Sequence, residues 1–173
     1  MTFDSVMTTT LDFVREHEAW APVIVFVLAF LESIVGLSLA VPSTPLFIGV
    51  GALIGASNIA FWPIFAGVAL GGFLGDWASY ALGYRLKDRV LEWKAVKSRP
   101  ELIHRTQNFV QKWGALGVFF GRFVSPIRSF VPFVAGMFEM GQARFQLANA
   151  SSAVVWAYIL LAPGGVFLRG YFA

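Results

Sequence analysis

Two long apolar stretches on either side of one charge-dense segment leave this chain few ways to fold. Of its 23 charged side chains, five fall in residues 1–20, two in 21–84, eleven in 85–112 and five in 113–173. About 20 apolar residues carry a helix across a bilayer, and both stretches exceed that. Hydrophobic residues make up 57% of the 173 and charged residues 13%, against about 45–50% and about 25% in an ordinary soluble domain. The pattern implies a single all-α integral membrane domain over residues 1–173.

The chain has no cysteine, which excludes disulfides, thiolate catalysis and Cys-based metal sites. Its net charge of +3 originates in the segment Arg85 to Lys112, where eight of the thirteen Lys and Arg residues face only Asp88, Glu92 and Glu101. A basic loop beside membrane spans is what the positive-inside rule demands. Residues 85–112 are therefore expected to be a cytoplasmic loop, and no nucleic-acid partner is expected.

Along the chain, Phe3, Met7, Leu11 and Val14 recur at helical spacing among charges, so residues 1–20 are expected to form an interfacial amphipathic helix. No basic region precedes an apolar run there, so this is not a signal peptide. The first half, 21–84, is apolar from Pro22 to Leu31 and then meets Glu32, Gly36, Pro42 and Pro45 before resuming at Leu46 to Gly55. Proline inside a helix removes a hydrogen bond and clashes with the preceding turn. Pro42 and Pro45 are thus expected to mark non-helical backbone, which at membrane depth must be buried in protein or line an aqueous cavity. Phe61 to Tyr84 reads as an ordinary span, with Gly67, Gly71 and Gly75 presenting a flat face to a neighbouring helix.

The second half, 113–173, repeats this plan. Trp113 to Gly121 is interrupted by Arg122, Pro126, Arg128 and Pro132 before Phe133 to Met140, and Phe145 to Leu168 supplies a last span. Pro45 to Gly49 and Pro132 to Gly136 both read Pro-x-x-x-Gly. If each broken segment is re-entrant, each half crosses once and the second is inverted relative to the first, a transporter plan. With the basic loop cytoplasmic, both termini then lie on the outer side.

Glu32, Asp76, Arg122 and Arg128 fall within these membrane-embedded stretches. Each costs about 2.5–3.5 kcal/mol at a helix centre, so they must be paired, wet or both. Two readings stand. The charges form salt bridges that glue the breaks, or they form a site. Arg122 and Arg128 flank Ser125 and Pro126, so two guanidinium forks and freed backbone N–H groups can converge on one anion, and phosphate suits that geometry. A lipid with a phosphate headgroup satisfies both the arginines and the surrounding apolar surface. Glu32, a carboxyl in a low-dielectric site, can load and release a proton in a transport cycle. Asp76 and Tyr80 lie one turn apart and can reach the breaks, where Pro42, Ser43 and Thr44 and, in the second half, Pro126 supply freed backbone. His17 and His104 stand outside the apolar segments without an acid at metal-ligand spacing. No metal, cofactor or catalytic constellation is indicated.

At these residues the chain resembles the DedA family, the bacterial members of the group also called SNARE-associated or VTT-domain membrane proteins. Three blocks carry the match: Leu31-Glu32-Ser33 with Pro42-Ser43 ten residues on; Gly75-Asp76-Trp77-Ala78-Ser79-Tyr80-Ala81-Leu82-Gly83; and the run from Gly121-Arg122-Phe123 through Ser125-Pro126-Ile127-Arg128 to Gly136. With Asn149 and Trp156, the similarity covers about residues 20 to 168. The resemblance implies a lipid transporter of the bacterial inner membrane that moves polyprenyl phosphates, notably undecaprenyl phosphate, or phospholipids, with proton or sodium coupling. It further implies that Glu32 is the membrane acid and that Arg122 and Arg128 are the essential arginine pair. Thr44 stands where many relatives carry an acid, and the chain ends at Ala173, about one span before longer members, which favours a homodimer.

The function expected is flipping of a lipid phosphate, most specifically undecaprenyl phosphate. The alternatives are a phosphatidylethanolamine translocase or scramblase, a membrane lipid phosphatase, and a structural membrane protein.

Overall fold

The computed structural model describes residues 18–34, 44–56, 60–86, 97, 100–124 and 127–163. Among the described residues a 3-10 turn at Glu18–Trp20 leads into the helices α1 (Ala21–Ser33), α2 (Thr44–Ala56), α3 (Phe61–Leu86), α4 (Pro100–Gly121), α5 (Val131–Met137) and α6 (Gln142–Ala162). A second 3-10 turn, Ile127–Ser129, precedes α5. Among the described residues all regular structure is helical. The expected amphipathic helix falls almost wholly in residues 1–17, outside the described residues.

The prolines have a simple role. Pro22, Pro45, Pro63, Pro100 and Pro132 all stand within the first three positions of their helices. There the missing N–H is one that a helix leaves unsatisfied anyway, and the fixed φ is already helical. Pro45 therefore starts a helix, where the sequence pattern had placed it in non-helical backbone, and Pro132, read as part of an interruption, starts one as well. Pro42 lies outside the described residues. Both apolar segments are nonetheless interrupted: α1 stops at Ser33, with Ile34 extended, and α4 stops at Gly121, nine residues before Phe130 leads into α5 at Val131. The final span begins three residues earlier than expected, at Gln142 after Gly141, and Pro163 caps it.

The basic segment is not loop throughout. From Pro100 it forms the first part of α4, with Thr106 and Val110 buried and Glu101, His104, Arg105, Gln111 and Lys112 exposed, an amphipathic pattern suited to an interface. At Gly114, φ is 53° and ψ is −128°, a conformation open to glycine. The chain turns there from polar helix into the apolar stretch that ends at Gly121.

Two helices, α3 and α6, are long and apolar enough to cross a membrane, and they organise the rest. α1 lies along α3 so closely that a methyl group on Gly67, Gly71 or Gly75 would meet the carbonyl oxygens of Pro22, Phe26 and Phe30 in turn. Two four-residue ladders thus interlock, as small-residue packing in membranes predicts. α5 crosses the other end of α3 through a reciprocal pair, Gly83 against the Phe133 carbonyl and Gly136 against the Tyr80 carbonyl. α6 packs against α2, α3 and α4. Side chains facing away from these contacts, such as Val23, Val27, Leu70, Leu147, Val154 and Ile159, are large, apolar and exposed, which suits a hydrocarbon solvent.

Two apolar cores result. One joins Val25 and Ala29 to Phe47, Ile54, Val68, Trp156 and Leu161. The other joins Tyr80 to Val118, Phe130, Phe133, Val134 and Phe145. They occupy opposite ends of α3 and α6, which run antiparallel, and the middle of both helices is left for polar residues.

Candidate functional site

That middle layer is built from α3 and α6. Gly72, Asp76 and Ser79 follow one another at helical spacing on α3, and Asn149, Ser152 and Trp156 do so on α6. All six are buried. Asp76 lies about 22 Å along the helix from Phe61 and about 15 Å from Leu86 at 1.5 Å per residue, near mid-depth of a hydrocarbon core about 30 Å thick.

Arg122, the first residue after α4, enters this layer and is buried. Its Nε donates to Ser152 Oγ at 3.1 Å, and one terminal nitrogen donates to Asn149 Oδ1 at 2.8 Å and to the Gly72 carbonyl at 3.5 Å. The same nitrogen forms the ion pair with Asp76. Asn149 uses its other end to donate to the Phe73 carbonyl at 3.0 Å. Glycine at 72 is required by closeness, since a Cβ there would stand 2.9 Å from the other Arg122 terminal nitrogen.

Arg128 arrives from the 3-10 turn, whose geometry is held by its own N–H on the Val124 carbonyl at 3.0 Å. It pairs with Glu32, in the last turn of α1. The two Glu32 oxygens are buried with no hydrogen-bond donor beyond this ion pair among the described residues. Nearby, Ser79 Oγ donates to the Ser33 carbonyl at 3.0 Å, which satisfies one of the acceptors freed where α1 ends.

Trp156 connects the two arginines. The Arg122 guanidinium carbon lies 5.6 Å from its ring centroid and that of Arg128 lies 5.8 Å away, both within cation–π range. Glu32, Ser33, Asp76, Arg122, Arg128, Ser129 and Trp156 enclose a cavity of about 20 Å³, room for about one water. Two acids and two arginines cancel in charge, so the insertion cost of four separate ions is avoided.

Glu32, Asp76, Arg122 and Arg128, singled out in the sequence, thus come together. Tyr80 does not join them: it packs against Phe145 with ring centroids 4.2 Å apart, and its hydroxyl donates to the Met140 carbonyl. Thr44 opens α2, while Pro42, Ser43, Ser125 and Pro126 lie outside the described residues. Ser33, Ser129 and Ser152 carried no role in the sequence reading. Asn149 and Ser152, three positions apart on one face of the last span, were the signal for the last of these.

Comparison with known proteins agrees with the blocks that meet here. The VTT domain matches residues 41–165. The chain is 33% identical to inner membrane protein YabI of Escherichia coli K12 over 88% of its own length and 60% of that protein. It is 28% identical to inner membrane protein YqjA of the same strain over 82% of its length and 64% of that protein, and 25% identical to its protein DedA over 90% and 73%. The chain therefore spans about 60% of the length of the first of these relatives. No solved structure matches it. With the matched domain running from the start of α2 to the end of α6 and taking in three of the four buried charges, the chain belongs to the VTT-domain, or DedA, family of membrane proteins.

Proposed function

We propose that the chain translocates a lipid phosphate across the bacterial inner membrane, with the Arg122 and Arg128 cavity as the headgroup site and the lipid tail left in the bilayer. The observation that carries this reading is the gathering of two guanidinium groups over one indole ring, at mid-depth between membrane-length helices. Each arginine is held by a carboxylate, a ligand that phosphate oxygens replace in kind, and guanidinium forks bind phosphate bidentately. The cavity accommodates about one water, so loading a headgroup requires it to widen. When Arg128 turns from Glu32 to phosphate, Glu32 is the group that exchanges a proton, which couples the cycle to a gradient.

The broken segments support a re-entrant, inverted plan. α3 packs on α1 of its own half and α5 of the other, and α6 packs on α4 of its own half and α2 of the other. Such an exchange is what a twofold axis in the membrane plane produces.

Undecaprenyl phosphate is the substrate we favour, because the buried charges supply recognition for phosphate alone. No enzyme activity is assigned, and a homodimer is the assembly we expect. The test is purified protein in liposomes, assayed in parallel with undecaprenyl phosphate and phosphatidylethanolamine. Transport of the first, lost in Arg128→Lys at equal protein level, supports the reading; faster transport of the second makes this a phospholipid translocase. Phosphate release from either lipid points to a phosphatase, and no transport of either by well-folded protein leaves the four charges as structural bridges.

A further inference from the structure

The inner face of α6 is polar over one half and apolar over the other. Gln142, Gln146, Asn149 and Ser152 recur along it at intervals of four and three, and Trp156, Ala157, Leu160 and Leu161 continue it to the far end. The apolar half is sealed. Ala157, Leu160 and Leu161 sit in the core with Val25, Ile54 and Val68, and the Phe47 ring stands edge-on to Trp156 with centroids 5.5 Å apart. At 1.5 Å per residue the polar half runs about 15 Å, from Gln142, which is exposed, to the Ser152 Oγ that accepts from Arg122.

At its outer end lies a hollow of about 440 Å³, where Gln142 faces Trp77, Tyr84 and Arg85 of α3. Trp77 follows Asp76 in the chain, so the inner wall of the hollow stands at the level of the Arg122 ion pair. Gln146 is one turn of α6 beyond Gln142 on the way to that pair. Its side-chain Oε1 is buried with no hydrogen-bond donor among the described residues. The next polar side chain of the stripe, Asn149, is turned to other partners: its Oδ1 accepts from Arg122 and its Nδ2 donates to the Phe73 carbonyl.

A buried carbonyl oxygen left without a donor in a polar setting marks the place of a water, and polar side chains at membrane depth face one another or an aqueous cavity. We propose that water enters along this stripe from the hollow, bonds to Gln146 Oε1 and reaches the Arg122–Asp76 pair, and that it does so from the Arg85 end of the molecule alone. Hydration lets the pair loosen without exposing either charge to hydrocarbon. The route carries water whatever the arginine site transports, so this proposal and the function proposed above fail separately.

The chain has no cysteine, so a single introduced cysteine reports water directly: the thiolate is the reactive form, and an apolar setting suppresses it. The probe is Ag⁺, applied to membrane vesicles of either orientation and read as protection of the cysteine from maleimide after denaturation. From the face that carries Arg85, Gln146→Cys and Ser152→Cys should be captured about tenfold or more faster than Leu147→Cys. Leu147 shares the depth of Gln146 and is 75% exposed on the outer face of α6, so dry burial of Gln146 and a wet path give opposite orders. Adding Gln146→Leu should slow capture at Ser152→Cys about tenfold, the factor for one lost hydrogen bond, and Gln146→Asn should preserve it. Matching melting temperatures in detergent show that the variants fold. Capture at Gln146→Cys as slow as at Leu147→Cys overturns the proposal. So does capture at Ser152→Cys that is absent, equal from both faces or indifferent to Gln146→Leu.

Discussion

The two buried ion pairs differ in how they are built. Arg122 is held by Asp76, Asn149, Ser152 and the Gly72 carbonyl, all on the two membrane-length helices. Arg128 comes from a three-residue 3-10 turn and meets Glu32 in the last turn of a 13-residue helix. The first pair resembles a tie between beams, and the second resembles a latch. A buried charge with many donors and acceptors around it loses much when any partner leaves, whereas one whose partners among the described residues are one carboxylate and one aromatic face can exchange the carboxylate for another anion. The contrast assigns stability chiefly to Arg122 and, under the function proposed above, headgroup exchange chiefly to Arg128.

Removing the tie should have the largest effect. Arg122→Ala strands Asp76 and unsaturates Asn149 and Ser152, so a loss of about 3–5 kcal/mol is expected, read as a large fall in melting temperature in detergent. If that variant melts with the wild type, the contrast fails at its stronger member. Arg128→Lys should leave the melting temperature nearly unchanged, because the ion pair with Glu32 persists. Lipid transport should drop at least tenfold, the consequence of losing about 1.5–3 kcal/mol of charged hydrogen bonding to phosphate. Normal transport by Arg128→Lys in liposomes would remove the headgroup role.

Glu32→Gln sharpens the latch. An amide cannot exchange a proton, so gradient-driven accumulation of lipid on one side should vanish while passive exchange continues. Thr44→Glu, which puts at the start of α2 the acid that many relatives carry, should change the pH dependence of transport, since it adds a titrating carboxyl to a site proposed to use one. Transport profiles unaltered by both substitutions would separate Glu32 from coupling and leave it as a counter-charge. The smallest effect is expected of Ser152→Ala, about 1 kcal/mol of stability for one buried hydrogen bond, with transport little changed. A transport loss larger than the stability loss would show that the tie also belongs to the moving part.

Much of this plan was legible in the sequence, for reasons particular to membranes. Four costly charges among apolar residues announce that they meet, and glycines at 67, 71 and 75 announce a close helix. The partners were not legible: Arg122 and Asp76 are 46 positions apart, and nothing local distinguishes Asp76 from Glu32 as the acid for either arginine. Tyr80 misled because one turn beyond Asp76 α3 meets the start of α6 and α5, where Phe145 takes the Tyr80 ring and Gly136 sits against its carbonyl. The start of α4 was hidden inside the charge run, where an amphipathic helix and a topogenic loop share one composition. Proline was read as a breaker, yet it opens five helices, since only its position in the first turn decides between the two roles.

The glycine contacts also determine where the molecule can part. α1 and α5 are both seated on α3 through backbone touching backbone, and Gly51 of α2 has the Leu161 carbonyl of α6 2.9 Å from where its Cβ would be. Helices joined so closely move as one piece. Two pieces follow, one centred on α3 and one on α6, and the seam between them runs through the hydrogen bonds of Arg122 and the Asn149 bond to Phe73. A seam fastened by ions and amides parts only where other groups take over those bonds, so Arg122 sets how far the two pieces can separate.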